Sequence, residues 1–236
     1  MSCATSICHD RPIEQNIVIL SQSIFKTIQR LKSNADCINI KRRSYIYLEE
    51  DPSDNVYILE QGMVMLTKLL PNGQEVGIVL LAGENMFGQC EVLSHLRREH
   101  QAMALTTCKL RAVRSDYFLK ETECSNKFSL ELAKLQNERL RRVEKHIGII
   151  SQHNIAKRLS STLLSIVDSA GSVHNRLIIS PCPTHQDLAI MIASTRETVS
   201  TIMGKLRQKN IIDFNRQELR IINEASLQSF GTHCSA

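Results

Sequence analysis

Two hydrophobic periods divide the chain. Between Asp36 and Val113, apolar and β-branched residues come in short runs: Tyr45–Leu48, Val56–Leu59, Met63–Leu66 and Val76–Leu81. Turn-forming stretches part them: Asp51-Pro52-Ser53-Asp54, Gln61-Gly62, Pro71-Asn72-Gly73 and Gly83-Glu84-Asn85. Many short strands at near-regular spacing predict an antiparallel barrel or jelly roll. Pro71-Asn72-Gly73 is a hairpin turn, since Asn-Gly accepts positive φ. Near residue 126 the period lengthens. Phe128, Leu132, Leu135, Leu140, Val143, Ile147 and Ile150 recur at helical spacing behind Ser125 and Asn126 as caps. Roughly 26 helical residues reach about 39 Å. That is further than a roll can cover, so the stripe predicts a second copy of the chain in a coiled-coil-like homodimer.

A second helix is expected over 154–169, with Ile155, Leu159, Leu163, Leu164 and Val167 on one face. After a Gly- and Pro-containing loop, Thr184 and Asp187 open a third in a capping-box-like arrangement. Ala193-Ser194-Thr195 turns the chain into a fourth, whose inward positions are Val199, Ile202, Met203 and Leu206. This is a helix-turn-helix, and the first turn of its second helix suits a major groove. Arg196 can donate two hydrogen bonds to a guanine, and Glu197 can accept from a cytosine amino group. Ser200 and Thr201 share that face; Thr184, His185 and Thr195 are placed to approach phosphates, and Gln186 is a further DNA-binding candidate. Runs 211–214 and 219–222 read as the hairpin of a winged helix. The expected organisation is α+β: a tail over 1–15, an effector-sensing β-roll over 16–118, a dimerisation helix region over 119–152, a winged helix-turn-helix over 153–227, and a tail over 228–236.

Composition changes this picture little. Among 236 residues, 42% are hydrophobic, 22% charged and 4% aromatic, with no Trp, so the core is mostly aliphatic. The net charge of +5 permits a polyanionic partner without demanding one. No apolar run is long enough to span a bilayer, and no charged head precedes an apolar stretch, so no membrane association and a cytoplasmic location are expected. A Gly-rich phosphate loop, nucleophile elbow, metal-ligand pair and paired catalytic carboxylates are all missing from the sequence, which argues against an enzyme.

From about residue 20 to 225 the chain resembles the cyclic-AMP receptor protein / fumarate-nitrate regulator superfamily. The resemblance rests on Gly62, Gly73, Phe87-Gly88, Ala102-Met103-Ala104 and above all Thr195-Arg196-Glu197-Thr198-Val199-Ser200. It implies base reading by Arg196 and Glu197, and recruitment of RNA polymerase to double-stranded DNA by a promoter-bound dimer, more as activator than repressor. Two departures stand out. Thr201 replaces the family's second base-reading Arg, and Ala193 replaces the usual turn Gly, which implies a positive φ there at a cost of about 1 kcal/mol.

The resemblance also bears on the effector. The cyclic-nucleotide cassette of Gly-Glu and Arg-Ser/Thr is replaced by Gly88-Gln89 and Arg98-Glu99. Glu99 is expected to set a negative charge where a cyclic phosphate would sit, which argues against cyclic AMP. The cyanobacterial nitrogen-control branch is more similar, at Leu80-Leu81, Glu84-Asn85, Phe87-Gly88, Arg98, Arg139 and Glu144. That likeness implies a 2-oxoglutarate-like dicarboxylate held by Arg98 and Arg139, helped by the backbone of Phe87, Gly88, Gln89 and Cys90. Arg139 also interrupts the apolar stripe. It calls for an anion: a ligand, or Glu144 across the dimer seam. A structural Arg139–Glu144 pair without ligand, and another nutrient signal such as sulfur supply, are the alternatives. Eight Cys raise a further one, redox or iron–sulfur sensing through Cys3, Cys8, Cys37, Cys90 or Cys108, although the spacing is looser than a cluster needs. Cys90 and Cys108 are expected as core thiols, and the His residues show no metal-ligand spacing.

Overall fold

The computed structural model describes residues 22–170 and 177–231; the tail with Cys3 and Cys8 lies outside the described residues. Helix α1 (Gln22–Ser33) leads into strands β1 (Asp36–Ile40), β2 (Tyr45–Tyr47), β3 (Asn55–Gln61), β4 (Met63–Leu69), β5 (Glu75–Ala82), β6 (Asn85–Phe87), β7 (Gln101–Ala104) and β8 (Cys108–Arg114). They form two antiparallel sheets, β1-β8-β3-β6 and β2-β7-β4-β5, facing each other as the expected jelly roll. Between them, Val64, Leu66, Leu81, Phe87, Ala102 and Leu110 make the inner core. The β4–β5 hairpin turns at Gly73, whose φ is 81°. A short helix, α2 (Gln89–Ser94), follows β6.

Helix α3 (Ser115–Cys124) ends at Ser125, whose hydroxyl accepts from the Phe128 amide at 3.3 Å and starts α4 (Asn126–Ile150). The single apolar stripe expected on α4 is in fact two. Phe128, Leu132, Leu135 and Ile149 pack inward against the protein, and Phe128 meets Phe118 edge-to-face at 5.9 Å. Leu130, Leu140 and Ile147 point outward, 58%, 54% and 53% exposed. With Ala133, Asn137 and Glu144 they repeat every three and four residues, the spacing of a coiled-coil seam. Both faces carry large apolar residues, because a helix this long can be amphipathic twice.

Three polar side chains interrupt the inner side of α4: Arg139, Arg142 and His146. Arg139 Nη2 donates to the Met86 carbonyl, and His146 Nε2 lies 3.0 Å from the Gly77 carbonyl. Burial pushes the His146 pKa below its ordinary 6.5, only partly offset by that carbonyl. A His depressed in the fold binds its proton more readily once unfolded. Its stabilising contribution is therefore complete above pH 6.5 and shrinks as pH falls below it. His185 shifts the same way. Urea unfolding at pH 7.5 and 5.5 should show a smaller acid loss in His146→Gln than in the parent. Equal losses would remove the basis for this assignment.

Helix α5 (Ile155–Ala170), strand β9 (Ile178–Ile179), α6 (His185–Met191), α7 (Arg196–Gln208), β10 (Ile212–Phe214), β11 (Leu219–Ile221) and α8 (Glu224–Ser229) complete the described chain. The β10–β11 hairpin is the expected wing, and β9 adds a third strand against β11. Structure continues past residue 227: α8 buries Leu227, and the Gly231 carbonyl accepts from Asn154. The helix-turn-helix is docked on the roll. Met63, Met65, Met103 and Leu105 share one core with Leu188, Met191, Val199 and Leu206. β5 comes so close to α6 that a Cβ at Gly77 would stand 3.2 Å from the Met191 Cα, so only Gly fits easily. Arg43, in the turn between β1 and β2, reaches across: Nη2 donates to the Thr184 hydroxyl at 2.9 Å and lies 3.0 Å from the buried Asp187 carboxylate.

Candidate DNA-reading face and effector cleft

The turn between α6 and α7 holds Ala193 at φ 51°, the left-handed region its place in the motif requires. Thr184 and Asp187 form a reciprocal capping box on α6, and Thr195 caps α7 through the Thr198 amide at 3.3 Å. His185 Nδ1 lies 2.8 Å from the Ser200 hydroxyl and ties the two helices together. The Thr201 hydroxyl donates to the Glu197 carbonyl. Thus Thr184, His185, Thr195, Ser200 and Thr201 all hold the motif's own geometry. Gln186, Arg196 and Glu197 do not. They are exposed and make no side-chain hydrogen bond or ion pair with the other described residues. Arg196 and Glu197 occupy the first turn of α7, where a groove-inserted helix meets base edges.

The effector cluster lies where β6 passes into α2. Phe87 is buried, its ring stacked on Tyr57 at a centroid distance of 5.4 Å. Gly88 caps α2 at φ 78°, and a Cβ there would meet Arg98 Nη1 at 2.7 Å, so Gly is required twice over. Arg98 is 1% exposed. Its Nη1 donates to the Gly88 carbonyl at 2.8 Å and its Nη2 to the Asn55 carbonyl, and its guanidinium lies 4.4 Å from the Tyr47 ring centre.

The negative charge facing Arg98 comes from Glu91, not from Glu99, which correction the helical turn of α2 explains. Glu91 sits on α2 with Oε2 at 3.7 Å from Arg98 Nη1 and Oε1 at 3.5 Å from His100, while Glu99 is exposed. Burial raises the Glu91 pKa, but His100, a backbone amide and Arg98 outweigh it and hold the carboxyl below its ordinary range. The carboxylate thus neutralises Arg98. Arg139 has no such acid: among the described residues it makes no ion pair, and burial, with repulsion from Arg142, pushes its pKa down. Cys90, Tyr47 and Glu91 lie within electrostatic reach of it.

Several buried polar atoms there have no partner among the described residues: Gln89 Oε1 and Nε2, Arg98 Nε and Gln136 Nε2. Gln136 reaches the same place from α4, with Oε1 3.6 Å from Cys90 Sγ. Sequence reasoning missed Glu91 and Gln136: the turn of α2 brings Glu91 onto Arg98 and His100, and α4 carries Gln136 to Cys90. Glu144 is exposed on the outer face of α4 and does not join the cluster within one protomer. Of the two thiols expected in the core, Cys108 is buried and Cys90 is exposed at the α2 surface. No group of three or more His, Cys, Asp or Glu among the described residues could hold a metal ion.

Two family models account for this geometry. A cyclic nucleotide-binding domain matches residues 37–123, and a Crp-like helix-turn-helix domain matches residues 157–230. The chain belongs to the CRP/FNR family of transcription regulators. CRP/FNR members are regulators, not enzymes, and the roll is the family's effector-binding domain. Among curated relatives, the global nitrogen regulator of Synechococcus elongatus is 26% identical over 190 residues, covering 79% of this chain and 86% of that protein. The anaerobic regulatory protein of Bacillus subtilis is 20% identical over 216 residues, covering 91% and 89%. The solved structure of FixK2 from Bradyrhizobium japonicum superposes with a TM-score of 0.73 at 21% identity, covering 85% of this chain and 99% of that one. That likeness shows the CRP/FNR fold alone. No described helix is long and apolar enough to cross a membrane.

Proposed function

We propose that two copies of the chain, joined along the outer face of α4, bind a palindromic promoter site in cytoplasmic DNA, and that a 2-oxoglutarate-like dicarboxylate in the roll sets the affinity. The observation that carries the DNA reading is the pair Arg196 and Glu197, exposed and without a partner among the described residues on the first turn of α7. Two such helices about 34 Å apart read one helical turn of DNA, and exposed Lys and Arg supply phosphate contacts and salt dependence. Recruitment of RNA polymerase to such a site makes activation the favoured sign. Arg196→Ala should lose about 1–3 kcal/mol against the palindrome, roughly ten- to a hundredfold, and little against random duplex. An equal loss on both would make Arg196 a phosphate contact.

For the effector, Arg139 is a partly buried cation that makes no ion pair among the described residues, and the atoms of the cluster without a partner among those residues are mostly donors. An oxygen-rich anion satisfies both. A cyclic phosphate beside Arg98 would face Glu91. The nitrogen regulators among the relatives support a nutrient-status signal. The test is palindrome binding titrated with 2-oxoglutarate and separately with cyclic AMP. Tighter binding with 2-oxoglutarate, lost in Arg139→Ala, supports the dicarboxylate. A response to cyclic AMP alone overturns it, and a response to neither leaves the thiols as the next candidates.

A further inference from the structure

A cavity of about 810 Å³ lies elsewhere, between the outer side of β4 and β5, the inner side of α4 and the docked DNA-binding domain. Its lining includes neither Gln89, Arg98 nor Arg139, so it is not the effector cluster. The size is that of small-molecule sites, roughly 300–1,000 Å³. Most of the wall is apolar: Met63, Met65 and Leu80 from the roll, Leu135 from α4, Ile166 from α5 and Met191 from α6. Methionines from two domains give it a lining that adapts to irregular or flexible occupants.

One stretch of α4 differs. Glu138, Arg141, Arg142, Lys145 and His146 gather along it. Arg141 pairs with Glu138 at 3.7 Å, Lys145 has its own partner, and His146 is held on the Gly77 carbonyl. Arg142 makes no ion pair or side-chain hydrogen bond among the described residues, and it repels the neighbouring Arg139. From α5, Thr162 is 1% exposed and its hydroxyl has no partner among the described residues, although a helical Thr can ordinarily bond the carbonyl four residues back. A dry apolar void would leave both groups unanswered.

The geometry points to a second ligand site that takes an amphipathic monocarboxylate, its carboxylate on Arg142 and its apolar body along Met63, Met65, Leu80, Ile166 and Met191. One guanidinium without an ion pair among the described residues matches one negative charge. The apolar wall excludes a sugar phosphate or a small dicarboxylate. Because the wall comes from both domains, the occupant stabilises their docked arrangement and acts on DNA affinity by a route separate from the roll interior.

The test uses the full-length protein and calorimetric titration with dodecanoate, 4-phenylbutyrate, dodecanol and butyrate. The expected result is one dodecanoate per protomer, binding at least tenfold tighter than dodecanol, with butyrate not bound. A preference for 4-phenylbutyrate over dodecanoate keeps the site and makes the body aromatic. Arg142→Gln should weaken dodecanoate about tenfold and Arg142→Lys should restore most of it, with unfolding midpoints confirming that both variants fold. Ser165→Phe, which places a ring in the same space, should abolish binding. Equal affinity for dodecanoate and dodecanol, no loss in Arg142→Gln, or many acids bound per protomer would each overturn the proposal.

Discussion

Arg98→Met should cost the protein about 3–5 kcal/mol of folding free energy, with no ligand present, because it removes one member of a buried charge pair. Glu91 would keep only His100 and a backbone amide, and the Gly88 and Asn55 carbonyls would lose the Arg98 donors. Arg98→Lys should recover little, since a single ammonium cannot reach both carbonyls in the fixed fork that a guanidinium offers. Urea unfolding is the measurement, and a double-mutant cycle with Glu91→Gln isolates the pair. A loss below about 1 kcal/mol would mean that water replaces the guanidinium and that the residue is available to ligands after all.

The second large effect is expected on α4. Leu140→Asp places a charge on an exposed face of one protomer, so the single chain should fold as before. In a two-fold seam, however, it sets two carboxylates against each other in an apolar contact. The dimer should dissociate, as sedimentation would show. Palindrome affinity should then fall by about a hundredfold or more, because the second half-site no longer binds as an intramolecular event. Ile147→Asp should do the same, while Glu138→Asp, off the seam, should not. A Leu140→Asp protein that remains dimeric and retains site affinity would rule out the outer face of α4 as the contact.

What the sequence reveals follows from how local each interaction is. The runs Tyr45–Leu48, Val56–Leu59, Met63–Leu66 and Val76–Leu81, the hairpin at Asn72-Gly73 and the Thr184–Asp187 box depend on residues within a few positions of one another and were legible, whereas β1, β6 and β8 and the Thr195 cap were not singled out. So was the exposed pair Arg196 and Glu197, because the inward positions Val199, Ile202 and Met203 leave them only one face. The two apolar faces of α4 were not separable, since distinguishing Leu135 from Leu140 requires knowing which side the roll occupies. The exchange of Glu99 for Glu91 has the same origin. Glu99 is next to Arg98 in the chain but stands exposed at a bend, whereas α2 brings Glu91 back. Arg43 gave no signal at all, because its partners lie more than a hundred positions downstream.

That last contact has a consequence for modularity. Asp187 is the capping-box acid of α6, buried at the start of the helix-turn-helix, and the cation beside it is lent by the roll. Cut from the roll, the 153–231 segment would keep its caps and wing. It would also carry an uncompensated carboxylate and the bare methionine surface around Met191. Grafting this reading head onto a different sensor therefore requires a guanidinium at the position of Arg43 and a glycine-like gap at the position of Gly77. Without both, the chimera inherits the letters of the recognition helix and not the footing on which it stands.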